Sequence, residues 1–359
     1  MDLRLTWKRA ILAGLVIGTM LVPAGNLHAL ASAAQSQQGQ QPPPKQEKPQ
    51  DEFAITVDVP LVNVDVVVTD NRGGFVTGLK KENFRILEDG KPQSITNFAP
   101  TDAPITIVML MEFSKLGYDY FAYQGREWAY YFLNYLGKED WVALVTYDLK
   151  TRIENDFTKN KAEIQGTIAR MYFPGFSEAN LFDAVVETLE RLEDVKGKKA
   201  ILIIASGFDT FSKNTLDDAI KKVRATDTTI FAVGAGKDLM EYLDRQGALG
   251  NIGRVNYYQA QNQLSAFARL TGGRAWFPEF QGQLPNIFRD VAAHMRNQYS
   301  LGYTPANRTR DGKFRKIKVQ LVDAEGKPLV ITDQNGKKVK YVIYAREGYP
   351  AQRGAIGDN

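Results

Sequence analysis

An acidic residue and a serine directly follow an apolar stretch in the first half of the chain. The stretch reads ITIVMLM, and Glu112 and Ser114 come next, two positions apart. Carboxylate and hydroxyl oxygens are the ligands that hard divalent cations such as Mg²⁺ prefer. Asn180, Ser206 and Asp209 supply further oxygens close to other apolar stretches. Glu112 and Ser114 therefore raise two alternatives for the end of this stretch, a divalent cation site or a polar contact surface.

Other kinds of site are excluded or disfavoured by composition. The chain has no cysteine and only two histidines, His28 and His294, which excludes thiol catalysis, disulfides and zinc sites with sulfur ligands. His294 lies in the helical pattern IFRDVAAHMRNQYS, where a lone histidine is more often packed than catalytic. We therefore predict a protein that is not an enzyme and needs no cofactor, and an enzyme on the same fold is the disfavoured alternative.

The charge of the chain argues against nucleic acid as a partner. The 45 basic and 41 acidic residues give a net charge of +4 without one concentrated basic block. Binding of a phosphate backbone requires a concentrated basic face.

Apolar strands alternate with amphipathic helices through the middle of the chain. This alternation predicts an α/β fold with a doubly wound, mostly parallel central sheet and helices on both of its faces, a Rossmann-like arrangement. The predicted strands are ITIVMLM, DWVALVTYD, KKAILIIASG and TTIFAVGAG, followed by a short strand in TGGRAWFP. The predicted helices are YDYFAYQGREWAYYFLNYL, NKAEIQGTIARM, NLFDAVVETLERLED, TLDDAIKKVRAT, NQLSAFARL and LPNIFRDVAAHMRNQYS.

Strand patterns flank this α/β region on both sides. Valines alternate with polar residues in AITVDVPLVNVDVVVTD, and FRILEDGKPQSITNF contains an Asp-Gly hairpin signal. Beyond Tyr303, KFRKIKVQLVD alternates again. We expect the two flanks to meet in one small antiparallel β-sandwich.

The N-terminus carries an export signal. Lys8 and Arg9 precede the apolar run AILAGLVIGTMLVPAG, which is followed by small residues that suit cleavage. We expect a periplasmic or extracellular protein, with a retained N-terminal anchor as the alternative. The predicted segments are a signal peptide 1–31, a Gln/Pro-rich linker 32–52, a strand block 53–100, the α/β domain 101–303, a second strand block 304–350 and a tail 351–359.

Several motifs occur in an order that matches a known family. They are FRILEDGKPQSITNF, NLFDAV, ILIIASGFDTFS, TGGRAWFP and QYSLGYTP. With these motifs the chain resembles a von Willebrand factor A domain, and it is most similar to the secreted VWFA-related proteins common in acidobacteria. The resemblance covers about residues 53–348 and implies a protein-binding module.

The resemblance also implies where a metal would bind, at the metal-ion-dependent adhesion site of these domains. Its ligand positions correspond here to Glu112, Ser114, Leu116, Ala179 and Ser206. Leucine and alanine supply no side-chain oxygen, and serine replaces an aspartate at position 206. We therefore predict a degenerate site without a metal, because affinity for Mg²⁺ follows the number and geometry of charged oxygens. A distorted metal site that recruits Asp183 or Asp209 is the alternative.

The same edge is the predicted contact surface for a protein partner. Aromatic side chains on its loops, including Phe173 and Phe176, favour an interface. The residues predicted to form the partner-binding face are Glu112, Ser114, Lys115, Tyr118, Asn180, Phe208 and Asp209.

Overall fold

The computed structural model describes residues 61–99, 104–115, 118–171, 175–176, 178–235, 241, 244–245, 247, 251–332 and 336–353. All of them belong to one compact unit, Pro60–Asn359. The predicted signal peptide and linker lie outside the described residues. No helix in the described part of the chain is long and apolar enough to span a membrane.

Sixteen strands and six α-helices are found in these residues. The strands are β1 (Val62–Asp70), β2 (Phe84–Glu88), β3 (Lys91–Gln93), β4 (Ile95–Ala99), β5 (Ile105–Glu112), β6 (Trp141–Tyr147), β7 (Thr151–Thr158), β8 (Lys198–Ala205), β9 (Thr229–Gly234), β10 (Ala275–Trp276), β11 (Gln298–Tyr303), β12 (Phe314–Leu321), β13 (Ile331–Thr332), β14 (Lys338–Val339), β15 (Tyr341–Ala345) and β16 (Gly348–Pro350). The helices are α1 (Tyr118–Leu133), α2 (Lys161–Arg170), α3 (Leu181–Leu192), α4 (Leu216–Ala225), α5 (Asn251–Leu270) and α6 (Leu284–Arg296).

The central sheet has the strand order β10-β9-β8-β5-β6-β7. All of its pairs are parallel except that of β6 with β7. Every residue of β5 is buried, because helices cover both faces of the sheet. Helix α1 contacts α2 and α6, and α4 contacts α3 and α5. The predicted α/β class with a mostly parallel sheet is confirmed.

Strand β7 is not predicted by the sequence pattern. Its sequence TRIENDFT is mostly polar, and only its last two residues are buried. It lies at the edge of the sheet, where one side of a strand faces solvent and the apolar signal is weak.

The flanking strands form a sandwich of two antiparallel sheets, as predicted. One sheet has the order β15-β1-β11-β4 and the other β16-β12-β2-β3. Their shared core includes Val64 and Val66 of β1, Ile86 of β2 and Val319 of β12. The valine alternation seen in the sequence therefore places one face of β1 in this core.

The position of β11 differs from the predicted end of the α/β domain. Residues 298–303 are predicted within the α/β domain, and the last helix is predicted to continue through Ser300. Helix α6 instead ends at Arg296, and β11 pairs with β1 and β4 in the sandwich. Buried tyrosines and leucine in β11 extend the sandwich core, which outweighs continuation of the helix.

A buried carboxylate joins the two sheets of the sandwich. Glu88 of β2 is 2% exposed, and its Oε2 accepts hydrogen bonds from the hydroxyls of Tyr303 at 2.7 Å and Tyr349 at 2.8 Å. Tyr303 belongs to the opposite sheet. A charged acceptor with two hydroxyl donors therefore links strands that are far apart in sequence.

His294 lies at the junction between the sandwich and the α/β domain. Its ring contacts Phe75 and Tyr344 from the sandwich at centroid distances of 4.9 and 5.6 Å, and Trp276 from β10 at 5.4 Å. The ring Nδ1 lies 2.8 Å from the carbonyl oxygen of Asp290. The Nε2 atom is buried and has no hydrogen-bond partner in the described residues.

The free energy of unfolding should therefore depend on pH through protonation of His294. Burial is the main cause that lowers its pKa, and the charge of Arg274 acts in the same direction. The unfolded chain takes up this proton near pH 6.5, so stability falls as pH decreases from about 6.5 toward the lower pKa of the folded state. The slope should not exceed about 1.4 kcal/mol per pH unit.

Urea unfolding of the wild type and of a His294→Phe variant between about pH 7.5 and 5.5 measures this contribution. We expect the difference in unfolding free energy between the two proteins to shift in favour of the variant as pH falls. A difference that stays constant over this range would contradict the assignment.

Candidate functional site

The candidate site lies at the edge of the central sheet where the parallel strands end. The carboxyl ends of β5, β6 and β8 meet there, which is where ligands bind in doubly wound sheets. Backbone hydrogen bonds connect neighbouring chain segments at this edge. The Lys115 amide donates to the Phe176 carbonyl at 2.8 Å, and the Phe113 amide donates to the Tyr147 carbonyl at 2.8 Å.

The Glu112 carboxylate occupies the centre of this edge and is 1% exposed. Its Oε2 accepts hydrogen bonds from the Ser206 amide at 2.8 Å, the Ser206 hydroxyl at 2.6 Å and the Tyr147 hydroxyl at 3.4 Å. Its Oε1 accepts the Ser114 hydroxyl at 2.9 Å. We call these four residues the Glu112 cluster. The cluster connects the ends of three neighbouring strands.

Burial and hydrogen bonding have opposite effects on the pKa of the Glu112 carboxyl group. Burial raises the pKa of Glu112 and exceeds the lowering effect of its hydrogen bonds, the largest of which come from Ser206. Burial also raises the pKa of Tyr147 well above its usual value, and the Glu112 charge adds to this shift. Tyr147 therefore keeps its proton and can act as a donor to the carboxylate.

A glycine fixes the turn that brings Ser206 to Glu112. Gly207 has φ of +87°, and a Cβ at this position would lie 2.6 Å from the carbonyl oxygen of Ala260. Only glycine fits both the backbone conformation and the close approach of α5.

Two aspartates tie the loop after β8 to the start of α3. The Asp209 Oδ1 accepts the Phe182 amide at 2.9 Å and the Ser212 hydroxyl at 2.6 Å. The Asp183 carboxylate accepts the amide of Lys213 at 2.9 Å, and it accepts both the backbone and the side-chain amide of Asn214. These carboxylates cap backbone N–H groups of the helix start and the loop.

A third aspartate holds the turn between β6 and β7. Asp148 is fully buried, and both of its oxygens lie 2.8 Å from Nη2 of Arg152. The Asn180 amide donates to the Asp148 carbonyl at 2.9 Å, and its side-chain nitrogen donates to the Leu149 carbonyl at 3.1 Å. Asn180 therefore fixes the start of α3 against this turn.

The side-chain oxygens at the positions implied for a metal form hydrogen bonds within the protein. The Glu112 oxygens already accept four donors, and Ala179 contributes no side-chain oxygen. Asp183 and Asp209, the alternative ligands, bind loop and helix amides. The described part of the chain contains no group of three or more acidic or histidine residues that could hold a metal. A six-oxygen Mg²⁺ shell would require most of these bonds to break.

The residues of the predicted partner-binding face lie at different depths. Glu112, Ser114 and Asn180 are buried, so they cannot contact a partner directly in this conformation. Lys115 is exposed, and Phe208 and Asp209 are half-buried. Tyr118 begins α1, and its side chain is outside the described part, as are Leu116 and Phe173.

Sequence patterns do not identify Tyr147, Asp148 or Phe211 as parts of this edge. Tyr147 pairs with Glu112 in the parallel register of β5 and β6, so a correct register would have identified it. Phe211 is 74% exposed, the largest value among the exposed large apolar residues of the described chain. The only sequence signal that could have identified Phe211 is its position in the loop after β8.

Removal of the central carboxylate should destabilise this edge. A Glu112→Ala variant leaves the Ser206 amide and three hydroxyls without their acceptor, at an expected cost of about 3 kcal/mol in unfolding free energy. A Glu112→Gln variant retains one acceptor oxygen and a donor for Ser114 and should cost about 1 kcal/mol. Denaturant unfolding of both variants measures the difference, and equal losses would refute the role of these hydrogen bonds.

Comparison with known proteins finds one matching family profile and several similar solved structures. Residues 107–266 match the sequence profile of the von Willebrand factor type A domain. A von Willebrand factor type A structure from Catenulispora acidiphila aligns at 10% identity over 81% of this chain and 75% of that chain, with a TM-score of 0.43.

Two further solved structures are similar over about half of the chain. The vWF domain of the type V pili tip protein Mfa5 from Porphyromonas gingivalis aligns at 13% identity over 54% of this chain and 95% of that chain, with a TM-score of 0.39. The conserved hypothetical protein BatB from Bacteroides thetaiotaomicron aligns at 10% identity over 53% of this chain and 98% of that chain, with a TM-score of 0.41. No curated protein sequence matches the chain.

The profile match begins within β5 and ends within α5, so it includes the strand ends at which the Glu112 cluster lies. It confirms the family resemblance that the motifs predict. Residues 107–266 of this chain are therefore a von Willebrand factor type A domain.

Proposed function

We propose that this chain is an exported protein-binding module that holds its partner at the loop edge of the A domain without a bridging metal ion. A von Willebrand factor type A domain supports an interaction module in general. Export, the absence of a metal and the position of the contact surface are the specific parts of the proposal. Export rests on the N-terminal sequence pattern.

The Glu112 cluster carries the proposal. In a metal-dependent site the carboxylate at this position must leave its oxygens free for the ion. Here hydroxyl and amide donors occupy both oxygens, at distances between 2.6 and 3.4 Å. The carboxylate therefore stabilises the loops. We expect exposed side chains on these loops to contact the partner.

Two exposed phenylalanines are the best candidates for these contacts. Phe176 is 41% exposed and Phe211 is 74% exposed, and both lie on loops at the strand-end edge. Phe211 also lines a groove of about 730 Å³ together with Leu149 and Lys213. Exposed aromatic side chains next to a groove are typical of the residues that dominate binding energy at protein interfaces.

We also propose that the chain is not an enzyme. The Glu112 carboxylate is surrounded by donors and closed to solvent, and Asp183 and Asp209 accept backbone amides. A catalytic base must reach a substrate proton, whereas Glu112 is closed to solvent and the other two carboxylates already accept backbone amides.

Metal titration tests the first part of the proposal. We expect wild-type protein to show no saturable heat with Mg²⁺, Mn²⁺ or Ca²⁺ tighter than about 100 μM. The matched control restores the ligand positions through Glu112→Asp, Leu116→Ser, Ala179→Thr and Ser206→Asp, and it should gain Mg²⁺ affinity. Saturable binding of any of these ions by the wild type tighter than about 100 μM would favour a metal-dependent adhesin instead.

Partner capture tests the position of the contact surface. We expect a Phe176→Ser, Phe211→Ser variant to lose at least about tenfold in partner recovery from an envelope extract, because two exposed anchors are removed. A Val330→Ser variant is the control, since Val330 is 58% exposed but directly precedes β13, outside the loops at the strand-end edge. Equal recovery by wild type and both variants would place the contact surface elsewhere.

A further inference from the structure

A shallow groove lies where the outer face of one sandwich sheet meets the end of α4. Leu87 and Phe314 provide its apolar lining, and its volume is about 630 Å³. This volume is within the range of sites that bind small molecules. Helix α4 starts from the loop after β8 and reaches the groove in its last turn, so the groove lies at the opposite end of this helix from the loop edge.

Three cationic side chains border the groove. Arg224, Lys316 and Lys318 line it and are exposed. Lys316 and Lys318 are two positions apart on β12 and therefore lie on the same face of the sheet. No ion pair involves any of these three residues within the described part of the chain. The Arg224 guanidinium lies 5.3 Å from the centre of the Phe314 ring, which holds this charge directly above the apolar lining.

Two carboxylates also line the groove, and in the described residues neither forms an ion pair with these cations. Glu347 forms its ion pair with Arg269. Asp89 Oδ1 accepts the backbone amide of Lys316 at 2.9 Å. The surrounding segment 304–350 contains eleven basic and five acidic residues, so its excess of positive charge is larger than the +4 of the whole chain.

We propose that this groove binds a single-chain anionic amphiphile. Its alkyl chain packs against Leu87 and Phe314, which removes apolar surface from water. Its carboxylate or phosphate head group lies between Arg224, Lys316 and Lys318 and supplies the anion that these side chains lack. Such a ligand contacts both the apolar lining and the cations. An apolar chain without an anion, or an anion without a chain, would contact only one of the two.

Isothermal titration of the folded protein with four probes below their micelle concentrations tests this site. The probes are dodecanoate, dodecyl phosphate, dodecyltrimethylammonium and inorganic phosphate. We expect saturable binding of dodecanoate or dodecyl phosphate, and the preferred head group distinguishes a fatty acid from a single-chain phosphate lipid. Comparable binding of the cationic probe or of phosphate alone would overturn the proposal, as would the absence of binding by both anionic probes.

Substitutions in the groove test whether the ligand binds there. Lys316→Glu together with Lys318→Glu should weaken binding at least about tenfold, because two attractions become repulsions. Asp89→Asn should strengthen it, and asparagine tolerates the φ of 48° at this position. The control Lys221→Glu changes an exposed charge on α4 outside the groove and should have no effect. An unchanged affinity in the double variant would refute the site, provided that circular dichroism shows the wild-type fold.

A second, peptide-based arm separates amphiphile binding from recognition of an acidic protein segment. A soluble polyglutamate peptide should bind more weakly than the anionic amphiphile and should not displace it. Displacement of the amphiphile by this peptide at equal concentration would overturn the proposal in favour of an acidic protein partner.

Discussion

The hydrogen bonds to the buried Glu112 carboxylate are the constraint on which the loop edge of the A domain depends. A carboxylate that is 1% exposed loses its hydration and requires compensation from the protein. That compensation comes from Ser114, Ser206 and Tyr147, which follow or end three different strands. The loops after β5 and β8 therefore cannot move independently without leaving a buried polar group unsatisfied.

The same principle recurs in the surrounding loops and in the sandwich. Asp183 and Asp209 accept hydrogen bonds that hold the loop after β8 on the start of α3, and Asp148 accepts the Lys150 amide within the turn between β6 and β7. In the sandwich, Glu88 accepts hydroxyls from Tyr303 and Tyr349 and joins the two sheets. Anionic side chains in this protein thus have a common structural role, since each satisfies amides and hydroxyls that packing has removed from water.

The two halves of the molecule differ in chemistry as well as in fold. The A domain places exposed phenylalanines at the ends of its parallel strands, whereas the sandwich carries an excess of lysine and arginine around β12. His294 is packed between the halves among Phe75, Trp276 and Tyr344. Since its neutral form suits this apolar environment, the junction links protonation to the contact between the sandwich and the A domain.

The sequence by itself determined the α/β alternation, the paired flanking strands and the family resemblance. These features depend on periodicity and on the order of motifs, both of which are local properties. The family resemblance also grouped Glu112, Ser114 and Ser206, because all three correspond to ligand positions of the adhesion site in that family. Only the tertiary structure decided that β11 joins the sandwich, that Tyr147 completes the Glu112 cluster and that Asn180 is buried. These outcomes depend on strand register and on burial by residues distant in the chain, which no local pattern specifies.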